Sequence, residues 1–164
     1  MDIAYTIVDS SLGRLLVAAT AKGVSAVAIA DDDRRLEREL REEYPRAQVR
    51  RDDSALAPRI APILAHLEGR GSNLDLPLDV RATAFQVRVF EELRRIPGGE
   101  TRTYGQVARA MGRPDAARAV ARACATNPVS IVVPCHRVVG KGGGLTGYRW
   151  GLDRKRKLLE IERR

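Results

Sequence analysis

Cys135, His136 and Arg137 stand in a row inside the run IVVPCHRVV, with apolar residues on both sides. A thiol becomes a strong nucleophile only when it loses its proton, and imidazole is the side chain whose proton affinity suits that task near neutral pH. The apolar flanks point to a buried segment, so Cys135 is either a small packing residue or a thiol held for chemistry. Pro134 lacks an N–H and biases Val133 toward extended backbone. Neighbours in an extended strand face opposite ways. Cys135 and His136 therefore act together only if the chain turns there or a water bridges them.

The second cysteine, Cys124, lies in the alanine-rich stretch DAARAVARACA, where Arg118 and Arg122 fall four residues apart on one helical face. That stretch is either a helix packed tightly on its neighbours or a helix lying against a DNA groove with an arginine reaching inward. Cys124 would contact DNA or simply pack. No cluster has metal-ligand spacing, and residues 1–65 contain neither Cys nor His. Neither a metal nor another cofactor is expected, and His66 is assigned no role.

The elements that must position these groups follow from pattern. Three short strands are expected around Ile3–Val8, Arg14–Thr20 and Val24–Ile29, with turn signals between them, as in an antiparallel meander. Asp31–Tyr44 reads as a charged helix ended by Pro45, and Ala55–Leu67 as a second helix with Leu56, Ile60, Ile63, Leu64 and Leu67 at helical spacing. Gly69–Leu78 contains the expected boundary between halves. Beyond it, Thr83–Arg95 carries Phe85, Val89, Phe90 and Leu93 on one side. Thr103 and Gln106 have capping-box spacing, Gly112 closes the helix they start, and Pro114 with Asp115 opens the next. The outline is a helix-turn-helix, which ordinary helical hairpins share. The fold class expected is α+β: a small antiparallel sheet with helices over residues 1–78, then a mainly helical domain over 79–164.

The 164 residues carry a net charge of +8, but residues 1–80 hold 11 Lys+Arg against 14 Asp+Glu, while residues 81–164 hold 18 against 7. All the excess positive charge lies in the second half, which points to a polyanionic partner, nucleic acid above all. No apolar run approaches a membrane span, and the start of the chain lacks the basic region of a secretion signal. Two cysteines are too few for a disulfide framework. A cytoplasmic monomer with free thiols is the expectation.

The stretch NPVSIVVPCHRVVGKGGGLTGYRWGLDRKRKLL resembles the active-site segment of the O6-alkylguanine-DNA alkyltransferases, also called methylated-DNA–protein-cysteine S-methyltransferases. The resemblance is strong across about Thr83–Glu162 and looser over the first half. The end TGYRWG looks most like the C-terminal repair domain of bacterial adaptive-response (Ada) proteins. The zinc-binding and regulatory domains known from such proteins are not recognisable in this chain.

The resemblance implies a ribonuclease H-like domain over 1–78 and a DNA-binding, alkyl-acceptor domain over 79–164. It implies direct-reversal repair of double-stranded DNA, in which an O6-alkylguanine is flipped out and its alkyl group moves irreversibly to Cys135. O4-alkylthymine is a second candidate substrate. His136, through an ordered water, would take the thiol proton and Glu162 would orient the imidazole; without the resemblance, Glu162 reads as a solvated carboxylate. Tyr104 would donate a proton to guanine N3. Arg118 would fill the gap left by the flipped base, with Arg122 and Ala117 beside it on the DNA-facing helix and Asn127 as the hinge after it. Backbone groups at Cys135, Val138 and Arg149 would read the guanine edge, Tyr148 and Trp150 would line the pocket, and Lys155 would support it. Trp150 would border the space for the alkyl group and disfavour bulky ones. The Lys141–Gly144 loop is expected to be mobile. An alternative is an alkyltransferase-like protein that binds lesions without chemistry. Those proteins lack the motif cysteine, so Cys135 argues against it. A transcriptional regulator would leave the cysteine segment without a purpose.

Overall fold

The structure, a computed structural model, describes residues 1–71 and 74–164. The chain divides into two compact units, Met1–Val80 and Arg81–Arg164. Ser72 and Asn73, within the expected boundary segment, lie outside the described residues.

The first unit is built on a four-stranded sheet. Strands β1 (Asp2–Ser10), β2 (Gly13–Ala19) and β3 (Val24–Ala30) form the antiparallel meander expected from their short apolar runs and the turn residues between them. Helix α1 (Asp33–Glu43) follows, with Asp32 accepting from the Arg34 N–H as its cap. A fourth strand, β4 (Gln48–Arg51), then pairs parallel with the far edge of β1, giving the order β3-β2-β1-β4. The three-stranded antiparallel meander expected from sequence is present, and β4 adds a parallel edge that makes the whole sheet mixed. Its sequence QVRR is short, mostly exposed and without alternation, so no pattern marks it.

Helix α2 (Asp53–Leu67) completes the unit and accommodates Pro58 and Pro62 within its span. Ile3, Tyr5, Ile7, Leu16 and Ala18 pack with Leu36 and Leu40 of α1 on one face of the sheet. The opposite face carries Leu15 and Val17, alternate residues of β2. It also carries Thr6, whose hydroxyl donates to Asp53 at the start of α2 over 2.7 Å.

The second unit is mainly helical. Helix α3 (Ala84–Arg94) buries Val89, Phe90 and Leu93, and Thr83 with Gln86 forms a capping box at its start. Strand β5 (Arg102–Thr103) leads into helix α4 (Tyr104–Ala110), where the expected Thr103–Gln106 box is present in both directions. Gly112 follows with φ 75°, a left-handed conformation glycine adopts without a Cβ clash. Helix α5 (Ala117–Ala125) begins after the turn, not at Pro114, and its N-cap residue Ala116 makes no side-chain cap. A single 3-10 turn covers Cys135–Arg137, strand β6 is Val138–Val139, and helix α6 is Leu152–Glu162. Helices α3, α4 and α5 pack on one another, and α6 packs on the 3-10 turn. Among the described residues no helix is long and apolar enough to cross a membrane.

Candidate active site

The opening motif is folded by a knot of local hydrogen bonds. Asn127, 1% exposed, accepts the Val129 N–H through its side-chain oxygen and donates to the Val133 carbonyl, both over 2.9 Å. Between these anchors Ile131 takes φ 74°, a left-handed backbone that a β-branched residue rarely adopts. The chain enters Pro134 already turned, and Cys135–Arg137 form a 3-10 turn instead of extended strand. The geometric bar to cooperation between Cys135 and His136 is thereby removed.

His136 is fully buried, and its Nε2 lies 3.0 Å from Glu162 Oε2. An ionised carboxylate only accepts, so His136 donates from Nε2 and Nδ1 carries the acceptor character that a base needs. Glu162 is not a solvated carboxylate, since its side chain is 1% exposed. Arg137 holds it in a bidentate grip, Nε to Oε1 at 2.9 Å and Nη2 to Oε2 at 2.7 Å, while Nη1 donates to the Ile96 carbonyl at 2.7 Å. Arg137, to which sequence reasoning gave no role, is the residue that ties Glu162 in place. Its signal was an arginine inside an otherwise apolar segment, because a guanidinium taken into a core must be paired there.

Tyr104 reaches the site through backbone pairing. Arg102 and Thr103 of β5 lie parallel to Val138 and Val139 of β6, which places the first residue of α4 beside the cysteine turn. A cleft of about 420 Å³ is lined by Cys135 and Tyr104, by Ala121, Cys124 and Ala125 of α5, and by Thr146, Gly147, Tyr148 and Arg149. Ala121 and Ala125 were not singled out in sequence, and their small side chains leave room for the cleft.

Lys155 is 0% exposed, and its ammonium donates to the carbonyls of Val138 at 2.7 Å, Thr146 at 2.8 Å and Gly147 at 3.4 Å. Lys155 and Val138 stand behind the cleft, clamping its walls. Of the backbone groups expected to read guanine, the carbonyls of Cys135 and Val138 already have one partner each. Cys135 O accepts from the Val138 N–H, and Val138 O accepts from Lys155. Each carbonyl oxygen has a second lone pair.

Trp150 differs from expectation. It is buried, its indole N–H donates to Ser130 Oγ at 2.7 Å, and the guanidinium of Arg149 lies 4.7 Å from its ring centroid. Trp150 is not among the residues that line the cleft, whereas Arg149, its neighbour, is. The Lys141–Gly144 loop closes on itself through Gly143 N to Gly140 O at 2.9 Å and Gly140 N to Gly144 O at 2.8 Å. Arg118 and Arg122 are both exposed on α5, with half-buried Ala117 at its start, and Val120, Ala123 and Cys124 face inward.

Burial pushes the Cys135 thiol above its usual range, against the pull of the Asn127 amide and the cations of Lys155 and Arg149. Burial raises Cys124 as well, and Lys155 opposes it weakly. Neither cysteine is in a disulfide, and a thiol raised in this way reacts only once a base takes its proton; His136 lies on the same turn as Cys135. Desolvation lowers Lys155 from the ordinary lysine value. Desolvation raises Tyr104, partly offset by a hydrogen bond with Thr146. The site can therefore hold a nucleophile, a carboxylate-oriented base and a phenolic proton donor around one small cleft. Among the described residues no cluster of His, Cys, Asp or Glu could hold a metal ion.

The chain is similar to known proteins over almost its whole length. Residues 3–80 match the ribonuclease-like domain, and residues 84–164 the DNA binding domain, of the 6-O-methylguanine DNA methyltransferases. The chain is 46% identical over 162 residues to the bifunctional transcriptional activator/DNA repair enzyme Ada of Escherichia coli; the match covers 99% of this chain and 46% of Ada, so the chain spans about half of that relative. It is 43% identical to the methylated-DNA–protein-cysteine methyltransferase of Mycolicibacterium paratuberculosis, covering 99% of this chain and 93% of the relative. The crystal structure of the Mycobacterium tuberculosis enzyme OGT in complex with DNA superposes with a TM-score of 0.84 at 39% identity, covering 98% and 92% of the two chains. Matched in both halves, and spanning one such relative almost end to end, the chain belongs to the 6-O-methylguanine DNA methyltransferase family.

Proposed function

We propose that this chain performs direct-reversal DNA repair, moving the alkyl group of an O6-alkylguanine onto Cys135 once per molecule. The observation that carries the reading is the buried His136–Glu162–Arg137 assembly on the same turn as a cleft-lining thiol. His136, through a water, takes the thiol proton while Glu162 and Arg137 fix its ring. The sulfur attacks the alkyl carbon, the S–C bond forms as the C–O6 bond breaks, and Tyr104 donates its phenolic proton to N3 as charge grows on the base. The product is a thioether. Its thiolate is too poor a leaving group for water to restore the protein.

The exposed Arg118 and Arg122, with the alanines of α5, suit a helix lying close in a DNA groove, α4 and α5 serving as a helix-turn-helix. The base must leave the stack to reach a cleft of this size, and Arg118 fills the gap. Asn127, which ends that region and ties the cysteine knot, serves as the hinge between them. The free thiols suit a reducing compartment such as the cytoplasm.

The test is incubation with duplex DNA carrying O6-methylguanine labelled in the methyl group, read by intact mass. The expected result is a gain of one methyl on Cys135, and none in Cys135→Ala, which still binds the duplex because phosphate contacts carry affinity. Methyl on Cys124, or binding without transfer, overturns the reading.

A further inference from the structure

Tyr104 Oη and Thr146 Oγ1 lie 2.9 Å apart, and both residues line the cleft. The mechanism above uses Tyr104 and gives Thr146 no part. Yet Thr146 is held from several sides. Its carbonyl accepts from the fully buried Lys155 ammonium at 2.8 Å. Its methyl sits where a Cβ on residue 140 would come within 2.8 Å of Cγ2, so Gly140 is the residue that lets it sit there. Tyr104 is anchored independently, at the capped start of α4 and beside the β5–β6 pairing. Two separately fixed residues thus meet at hydrogen-bond distance.

A hydroxyl has one proton to donate. If Tyr104 spent its own on Thr146, none would remain for the base. If Thr146 donates, the phenolic oxygen accepts and its proton points elsewhere. A phenol that accepts one hydrogen bond also becomes a stronger donor through polarisation. The lowering effect of Thr146 on the Tyr104 proton affinity has the same sense.

We propose that Thr146 is a positioning residue for Tyr104: its hydroxyl donates to the Tyr104 oxygen and so directs the phenolic proton to the ring nitrogen of a bound purine. This rests on the repair reading above. Thr146→Val keeps the shape, the methyl against Gly140 and the backbone carbonyl that Lys155 needs; Thr146→Ser keeps the hydroxyl.

The experiment is single-turnover methyl transfer from duplex DNA by the full chain and both variants. One duplex carries O6-methylguanine and the other its 3-deaza analogue, in which C–H replaces N3. On O6-methylguanine, Thr146→Val should be slower by about tenfold, the worth of one hydrogen bond, and Thr146→Ser close to the parent. On the 3-deaza analogue all three should react at the same reduced rate, because the proton that Thr146 directs has no acceptor. Equal rates for parent and Thr146→Val on O6-methylguanine overturn the proposal. So does an equal slowing on both duplexes, or a Thr146→Ser variant as slow as Thr146→Val. No methyl on Cys135 of the parent overturns the repair reading itself and this inference with it.

Discussion

The two units bury different things. In the first, the buried polar side chains among the described residues are Thr6 and Ser25, and charges pair at the surface, as in Arg14 with Asp9 and Asp33 or Arg35 with Glu39. In the second, Asn127, Ser130, His136, Arg137 and Lys155 are all buried, and Glu162 joins them. Removing an ion from water costs several kcal/mol, and a buried pair seldom recovers more than that cost. A fold gains no stability by collecting such groups, whereas a site gains fixed dipoles and a dry environment for charge that develops during a reaction. The contrast teaches where this molecule sets stability aside for chemistry.

Glu162→Ala should sharpen that contrast most. It leaves the Arg137 guanidinium and the His136 ring without their carboxylate in the interior, an effect of about 3–5 kcal/mol. Urea unfolding should show a large fall in midpoint, and transfer should fall with it. Asp33→Asn, which breaks a partly exposed ion pair in the first unit, should move the midpoint little. Equal shifts would mean that the two units do not differ in this respect.

The side proposed to face DNA is probed by Arg118→Ala, which should slow the proposed repair in duplex on the order of tenfold and in single strands hardly at all. Flipping a base from a duplex costs a few kcal/mol of unstacking and unpairing, part of which an inserted side chain offsets. The ratio of single-turnover rates on the two substrates measures it, and equal slowing would reduce Arg118 to a phosphate contact.

The smallest effect is in pH. Cys135, Cys124 and Tyr148 all have proton affinities raised by burial. The folded second unit therefore holds protons that the unfolded chain releases. The stability they contribute is complete below the ordinary thiol value of about 8.5 and is lost as pH rises above it. Lys155, lowered by desolvation, works in the opposite sense and offsets part of this. In the first unit Asp33 and Asp53 are lowered by hydrogen bonds, chiefly from Arg14 and Thr6, so their contribution is lost as pH falls through the carboxylate range; Tyr5 is its raised counterpart. Trp150, the single tryptophan, reports on the second unit. Its fluorescence should change before the sheet's far-UV signal on alkaline titration, and coincident transitions would count against separate sensitivities.

Much of this was legible in the residues. The first three strands follow from short apolar runs and the turn residues between them. The capping box at Thr103 and the glycine after α4 announce that helix, and its neighbour α5 shows in the alanines and paired arginines. The spacing around Pro134–Arg137 carried the family, and with it the roles proposed for Cys135, His136 and Tyr104. All of these are local, written within one or two turns of chain, where covalent geometry and the period of burial leave few choices.

What only the tertiary structure decided lies between distant residues. Strand β4 exists because β1 has an edge to pair with. Glu162 is buried and paired, not solvated, because Arg137 and His136 meet it from 25 and 26 residues away. Trp150 is buried with Ser130 accepting its N–H instead of lining the cleft, and Thr146 meets Tyr104 across 42 residues. A side chain's local sequence sets its chemistry and its preferred backbone. Whether that chemistry is buried, paired or aimed depends on partners that approach only when the core closes, and no local pattern records them.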